Sequence, residues 1–292
     1  MPLELEVLGS GGAYPTPMPG TNRPVSVEAL AHGSPDARTG PSLFLHGPDI
    51  LFDTPEESRI QLARAGIGRV NACFYSHWHP DHTMGRRVFE MLGSPDLRDR
   101  AHRHITEVYL PQQVAADART RLALWDHLAF MESQGFVRVH VVDDGERVRI
   151  GEGLDAVAVT PFRVAEDYVY AFLVEGREHR VLIAMDELVG WTPPALGPLD
   201  LAWLPIGIFE FHPRTGERRI PADHPLLREE ATYADTIAIA RQLDARRIVL
   251  GHIEAPDGFT HDELLGFAAD LRAEGLPVTI AHDGLLFPLG ES

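Results

Sequence analysis

Apolar and acidic positions alternate strictly at the start of the chain: Leu3, Leu5 and Val7 are separated by Glu4 and Glu6, the period of a half-buried strand over residues 3–8. A different pattern appears at Val70-Asn71-Ala72-Cys73-Phe74-Tyr75-Ser76, a nearly unbroken apolar run too short for a helix. It predicts a strand buried on both faces. Between the two, Ser42–Leu45 and Ile50–Phe52 predict a hairpin around His46-Gly47-Pro48-Asp49, closed by Asp53. Residues 55–66 predict a helix, with proline and acids at its start and Gly66 at its end. From Tyr14 to Pro41 the chain is rich in proline and glycine and reads as one long irregular loop.

Further along, residues 85–92 predict a short helix and 107–110 a strand. Residues 112–134 read as a single longer helix, with Leu122, Trp125, Leu128, Ala129 and Met131 near helical spacing. Four strands follow at 136–142, 154–162, 168–175 and 180–185, read together as a second sheet. A last apolar strand, Arg247-Ile248-Val249-Leu250-Gly251, runs into His252. Strands and helices mixed in this way predict an α/β fold.

Composition narrows the class. With 292 residues, 44% hydrophobic and 24% charged, the chain suits an ordinary soluble protein with a large core, read as one domain over 1–292. No apolar stretch approaches a membrane span, and the acidic, alternating N-terminus is unlike a signal peptide, so the cytoplasm is the expected location. The single cysteine, Cys73, excludes an internal disulfide and reads as a buried, inert thiol. A formal charge of −17 disfavours long nucleic acid as a partner and favours small substrates. A homodimer is left open.

Candidate chemistry gathers where the buried strand ends. His77, His79, Asp81 and His82 fall within six residues, His77-Trp78-His79-Pro80-Asp81-His82, at a strand-to-loop junction. His77 and His79 can turn to one ion, and Asp81 and His82 can reach a second. Imidazole and carboxylate together describe a mixed N/O metal site.

This motif, His-x-His-x-Asp-His, resembles that of the metallo-β-lactamase superfamily. Leu8-Gly9-Ser10-Gly11-Gly12-Ala13 is similar to the N-terminal glycine loop of its phosphoribosyl cyclic phosphodiesterase and ribonuclease Z branch. The resemblance implies an αββα sandwich, two mixed β-sheets flanked by helices, and a hydrolase with two divalent metal ions. It implies that Asp186, at the end of strand 180–185, bridges the ions and that His252 completes the second. Asp53 would orient the metal loop from behind. A third histidine for the first ion is expected near residues 159–168, and none is there; Glu166 is the candidate replacement, with Asp167 as the alternative. If Glu166 binds, the added oxygen ligand moves preference from zinc towards manganese or iron. The one-cysteine chain cannot build the extra zinc site of some resembling cyclic phosphodiesterases.

The implied reaction is hydrolysis of a small or cyclic phosphodiester by a water activated between the ions. Alternatives are a carboxylic ester, lactone or β-lactam hydrolase, ribonuclease Z-like processing, and a metal-binding protein without turnover. Asp81 counts as catalytic as well as a ligand. His224, then His212, are candidates for protonating the leaving group. Tyr14 and Arg38 are candidate phosphate contacts. His102, His104 and His127 are read as solvated or structural.

Overall fold

The computed structural model describes residues 3–92, 104–164 and 168–289. In chain order, β1 (Leu3–Gly9), β2 (Ser42–His46), β3 (Ile50–Phe52), β4 (Ala72–Phe74), β5 (Thr106–Pro111) and β6 (Val137–Val142) enter the first sheet. The second holds β7 (Val148–Ile150), β8 (Val157–Arg163), β9 (Tyr170–Glu175), β10 (Arg180–Ala184), β11 (Leu201–Pro205), β12 (Ile248–Gly251) and β13 (Val278–Ile280). β14 (Leu286–Leu289) returns to the first sheet beside β1, which makes both sheets seven-stranded. Each sheet is antiparallel at one side and parallel at the other, with β3 to β6 and β10 to β13 as the parallel runs. Connections between parallel strands cross over, so the strand ends that carry loops in these runs share one edge.

Fully buried Leu5, Phe44, Phe52 and Phe74 of the first sheet join Phe172, Ile183 and Trp203 of the second in one core. The Phe172 ring lies 5.6 Å from Phe52 and 5.7 Å from Phe74, centroid to centroid. Each such side chain contributes about 1.5–3 kcal/mol by leaving water. Helices cover the outer faces. After α1 (Pro24–His32), α2 (Ser58–Arg64), the short α3 (Pro80–Thr83) and α4 (Val88–Leu92), come α5 (Gln112–Ala118) and α6 (Leu124–Ser133). α2, α5 and α6 lie on the first sheet. α7 (Leu226–Glu229) is followed by α8 (Tyr233–Ala240) and α9 (His261–Ala273), which lie on the second. α8 and α9 both start at capping boxes, Thr232 with Asp235 and Thr260 with Glu263. The result is the αββα sandwich that the sequence resemblance implies.

Three sequence readings change. The long early loop contains α1, opened by Pro24 and ended by Gly33 at φ 73°. The single helix over 112–134 is two, because Leu122 and Ala123 take left-handed φ of 54° and 48°. Arg86 Nη2 holds the Leu122 carbonyl out of the helical ladder at 3.3 Å. The strand at 136–142 does not join the second sheet; as β6 it lies parallel to β5 in the first. A βαβ crossover through α5 and α6 sets it beside β5.

Candidate metal centre

The strand–loop junction at β4 is pinned from behind. Fully buried Asp53 accepts hydrogen bonds from Ser76 N at 2.7 Å and Ser76 Oγ at 2.6 Å, and its Oδ2 lies 2.8 Å from His82 Nδ1. Ser76 Oγ also lies 3.0 Å from His77 Nδ1. Thr54 N donates to the His82 carbonyl at 2.7 Å, and Gly85 N to the Thr54 carbonyl at 2.8 Å. The loop from His77 to Gly85 is therefore laid against residues 53–55, and His77 and His82 turn their Nε2 atoms to the strand-end edge.

Two triads form there: His77, His79 and Asp186, and Asp81, His82 and His252, each with its ligand atoms within 4.8 Å of one another. Asp186 follows β10 and reaches both. Its Oδ2 is 3.2 Å from His77 Nε2 and 3.7 Å from His82 Nε2, and its Oδ1 is 3.3 Å from His252 Nε2. Asp81 Oδ2 is 3.2 Å from His82 Nε2 and 3.8 Å from His252 Nε2. The Nε2 atoms of His77, His82 and His252 are buried yet make no hydrogen bond. Unsatisfied buried polar atoms are costly and uncommon. Three of them converging on two carboxylates fit divalent cations, and the N/O donor set is the one expected for zinc, manganese or iron.

The charges are tightly balanced. Burial raises both Asp81 and Asp186, but His82 beside the first and His252 beside the second hold each carboxyl far below the usual range. His82 is raised despite its burial, by Asp81 and Asp53, and His252 is held up to about 9, chiefly by Asp186. Burial, then the neighbouring His77, lowers His79 to about 4.

A ring of acids that the sequence reading did not assign flanks the second triad. Glu187, Glu230, Glu254 and Asp257 line one cleft with Asp186 and His252. Burial, reinforced by Asp186, pushes Glu187 up to about 7 and Glu230 up to about 8; burial and Glu254 push Asp257 up to about 7. Glu187, next to Asp186, and Glu254, two residues after His252, carry a positional hint in the sequence. Asp257 shares the segment of Glu254, and Glu230 comes from a separate loop.

These shifts set a pH dependence for the metal-free protein. Unfolded Asp, Glu and His titrate near 3.9, 4.3 and 6.5. The folded-state values of Glu187, Glu230, Asp257 and His252 all lie higher, so the folded chain binds more protons and loses stability as pH rises from about 5 to about 9. The lowered His79 works the other way, only below about pH 6.5. Chelator-treated protein should melt at a higher temperature at pH 6 than at pH 8.5. The reverse order would mean that the acids are not packed together in this way.

Glycines let the backbone close on the site. A Cβ on Gly12 would stand 2.5 Å from His252 Nδ1, and one on Gly251 would stand 2.0 Å from the Trp203 ring. His252 itself is left-handed at φ 53° and Asp53 at φ 58°, backbone strain of the kind found at functional sites. The loop is closed from the far end of the chain: Asp283 accepts from Ser10 N and Ser10 Oγ at 2.9 Å each and from Thr39 N at 3.0 Å. Gly12→Ala should displace His252 and weaken metal uptake while the melting temperature of the metal-free protein moves by only a few degrees. Unchanged metal content would show that the ring can step aside.

Other candidates fall elsewhere. Arg38 is not a phosphate contact: it is buried, with Nη1 donating to Ser10 Oγ at 2.9 Å and the Ala281 carbonyl at 2.6 Å, and Nη2 lying 3.0 Å from His261 Nδ1. Tyr14 is exposed, and its carbonyl accepts from Ala255 N at 2.9 Å, just beyond His252. His212 is not brought to the triads. Its Nδ1 accepts from Arg214 N at 3.2 Å, and its ring packs on Phe259 and Phe267. His224 is exposed, accepts from Leu226 N at 3.3 Å, and lines a cleft with Glu254 and Asp257 that adjoins the acid ring. Glu166, Asp167 and His102 lie outside the described residues. His104 contacts the Val70 carbonyl and His127 pairs with Glu90, both structural. Cys73 is fully buried, and burial pushes its thiol well up. The sequence reading also missed Ser76 and Tyr168, whose hydroxyl lies 3.2 Å from His79 Nε2.

An αββα sandwich with clustered histidines and aspartates at the ends of its parallel strands defines a class of metal-dependent hydrolases. A family model described as "Beta-lactamase superfamily domain" matches residues 43–253, and the chain belongs to that superfamily. Ribonuclease Z of Myxococcus xanthus is 28% identical over 296 residues, 86% of this chain and 92% of that protein. Ribonuclease Z of Archaeoglobus fulgidus is 26% identical over 166 residues, 56% of this chain and 50% of its own. Among solved structures, a diphosphatase of the PhnP family aligns at a TM-score of 0.68 and 24% identity, over 98% of this chain and 97% of that one. Zinc-bound PqqB from Methylobacterium extorquens aligns at 0.72 and 16% identity, over 97% and 99%. At these identities the structural likenesses bear on fold alone. No helix among the described residues is long and apolar enough to cross a membrane.

Proposed function

We propose that the chain hydrolyses small or cyclic phosphodiesters with two divalent ions. The observation that carries this reading is the convergence of three buried, unbonded Nε2 atoms on the carboxylates of Asp81 and Asp186. His77, His79 and Asp186 would hold one ion, with Glu166 or Asp167 completing its set; Asp81, His82, His252 and the shared Asp186 would hold the other. Bound divalent ions would supply Lewis acidity at the ester and a more acidic water.

The protein's own groups do the rest. Asp53 and Ser76 fix the rings of His82 and His77, so their Nε2 lone pairs stay aimed without further ordering. The ring of Glu187, Glu230, Glu254 and Asp257 would repel anionic groups on the second ion's flank once it ionises, which for Glu187, Glu230 and Asp257 means above about pH 7–8. A formal charge of −17 favours a compact ester over a polyanion. His224, which lines the adjoining cleft, is the candidate for protonating a departing oxygen. An alternative substrate is RNA, favoured by the similarity to proteins named ribonuclease Z.

Metal-loaded protein should turn over bis-p-nitrophenyl phosphate and leave a lactone panel and a precursor transfer-RNA transcript uncut. Lactone turnover without phosphodiester turnover would overturn the proposal. Transcript cleavage at a rate above the small diester would favour the second reading. The acid role is read separately: His224→Ala should slow diesters with poor leaving groups and spare p-nitrophenyl esters, since a phenolate leaves without a proton.

A further inference from the structure

Each imidazole of the HxHxDH loop has two nitrogens, and for His77 and His82 the structure shows what each does. Nδ1 of His77 faces Ser76 Oγ at 3.0 Å, Nδ1 of His82 faces Asp53 at 2.8 Å, and in both rings Nε2 is left bare and buried. His79 is arranged the other way round. Its Nε2 lies 3.2 Å from the hydroxyl of Tyr168, which leaves Nδ1 as the nitrogen not engaged there, in a ring that has a nitrogen within 4.8 Å of ligand atoms of His77 and Asp186. Tyr168 also packs its ring on His79 at 5.2 Å, on His77 at 5.8 Å and on Trp78 at 6.1 Å, centroid to centroid. It is held in that place from one side, because it stands just before β9, whose first residue donates from Tyr170 N to the Ser76 carbonyl at 3.0 Å. The loop it belongs to is the one that lacks the expected third histidine.

We infer that Tyr168 is the positioning residue of His79: its hydroxyl accepts the Nε2–H, fixes the ring as the Nε2–H tautomer and leaves the Nδ1 lone pair for the first ion. This rests on the metal reading above. A hydroxyl that instead donated to Nε2 would place the ring proton on Nδ1 and block that nitrogen, so the direction of this one hydrogen bond decides whether His79 can ligate. Partners of this kind, one bond removed from a metal, typically contribute about 10–100-fold in affinity. With fewer histidines around the first ion, its retention depends more heavily on how well those present are aimed. The sequence gives no sign of this role, since a tyrosine ahead of a strand reads as packing.

Two measurements test it without turnover. In metal-free wild type labelled with ¹⁵N-histidine, the ring signals of His79, assigned by their loss in His79→Gln, should show the Nε2–H tautomer; the Nδ1–H tautomer overturns the inference. In a His252→Ala background, which removes a ligand from the other site, Tyr168→Phe should weaken zinc binding by about 10–100-fold, read by competition with a chromophoric chelator. Its circular dichroism and metal-free melting curve should match those of His252→Ala alone. Zinc binding unchanged by Tyr168→Phe overturns the inference and leaves the metal reading standing. Wild type that takes up no zinc, manganese or iron overturns both. Should Tyr168→Phe fail to fold, the tautomer measurement on wild type still decides.

Discussion

Asp186→Ala should abolish phosphodiester hydrolysis, a loss of about a thousandfold or more, while the chain stays folded. The size follows from position. Among the described residues Asp186 is the one whose two oxygens face His77 and His82 on one side and His252 on the other, so its removal strips a ligand from both proposed ions. The fold should survive because Asp186 follows β10 at the strand-end edge, outside the apolar cluster that joins the sheets. Activity, bound metal and circular dichroism would be measured on the same sample. Metal content falling below one ion per chain with an unchanged spectrum is the expected result. Activity within tenfold of wild type, or a collapsed spectrum, would remove Asp186 from the role proposed for it.

Asp53→Ala should have the largest effect on stability, a loss of about 3–5 kcal/mol. The carboxylate is fully buried and takes hydrogen bonds from Ser76 N and Ser76 Oγ, with His82 Nδ1 at 2.8 Å. Alanine would take the acceptor from the Ser76 N–H and the Ser76 hydroxyl proton, both buried, and His82 would lose the anchor of its ring. Asp53→Asn should recover part of the stability but not the metal affinity, because an amide presents a donor where the Ser76 N–H and hydroxyl both need an acceptor. Chemical denaturation of metal-free protein gives the first quantity and zinc competition the second. If alanine costs less than about 1 kcal/mol, the network is solvated and the anchoring argument fails.

Legibility in the sequence followed distance along the chain. His77, His79, Asp81 and His82 share one loop, and the buried run before them marks a strand end, so a local pattern carried both site and setting. Asp186 and His252 were reachable because each ends an apolar run at a place where the family resemblance implies a ligand; the runs alone would not have singled them out. Glu230, Asp257 and Tyr168 were not: each sits in a loop whose own composition says only that it is a loop, and what gives it chemistry is packing between distant segments. Arg38 shows the opposite error, a cation in a glycine-rich region that reads as a phosphate contact but is consumed by Ser10, Ala281 and His261. The break at Leu122 and Ala123 was hidden because both are good helix formers, and the tertiary contact from Arg86 overrode their propensity. β6 was given to the wrong sheet because strand spacing alone does not say on which side of a crossover the next strand lies.

The pairing of β1 with β14, and the clamp of Asp283 on Ser10 and Thr39, bear on biosynthesis. Translation delivers β1 and the glycine loop well before their partners, residues 283–289. Until residues 283–289 leave the ribosome, β1 has β2 on one side and an open row of backbone amides and carbonyls on the other. Gly12, which backs His252, belongs to the same unfinished corner. Most of the imidazoles and carboxylates are already synthesised by then, but their enclosure is not. The corner that backs His252 is therefore set by residues more than 270 positions from Ser10, and a chain that lacked residues 283–289 would keep its candidate ligands but lose the clamp behind them.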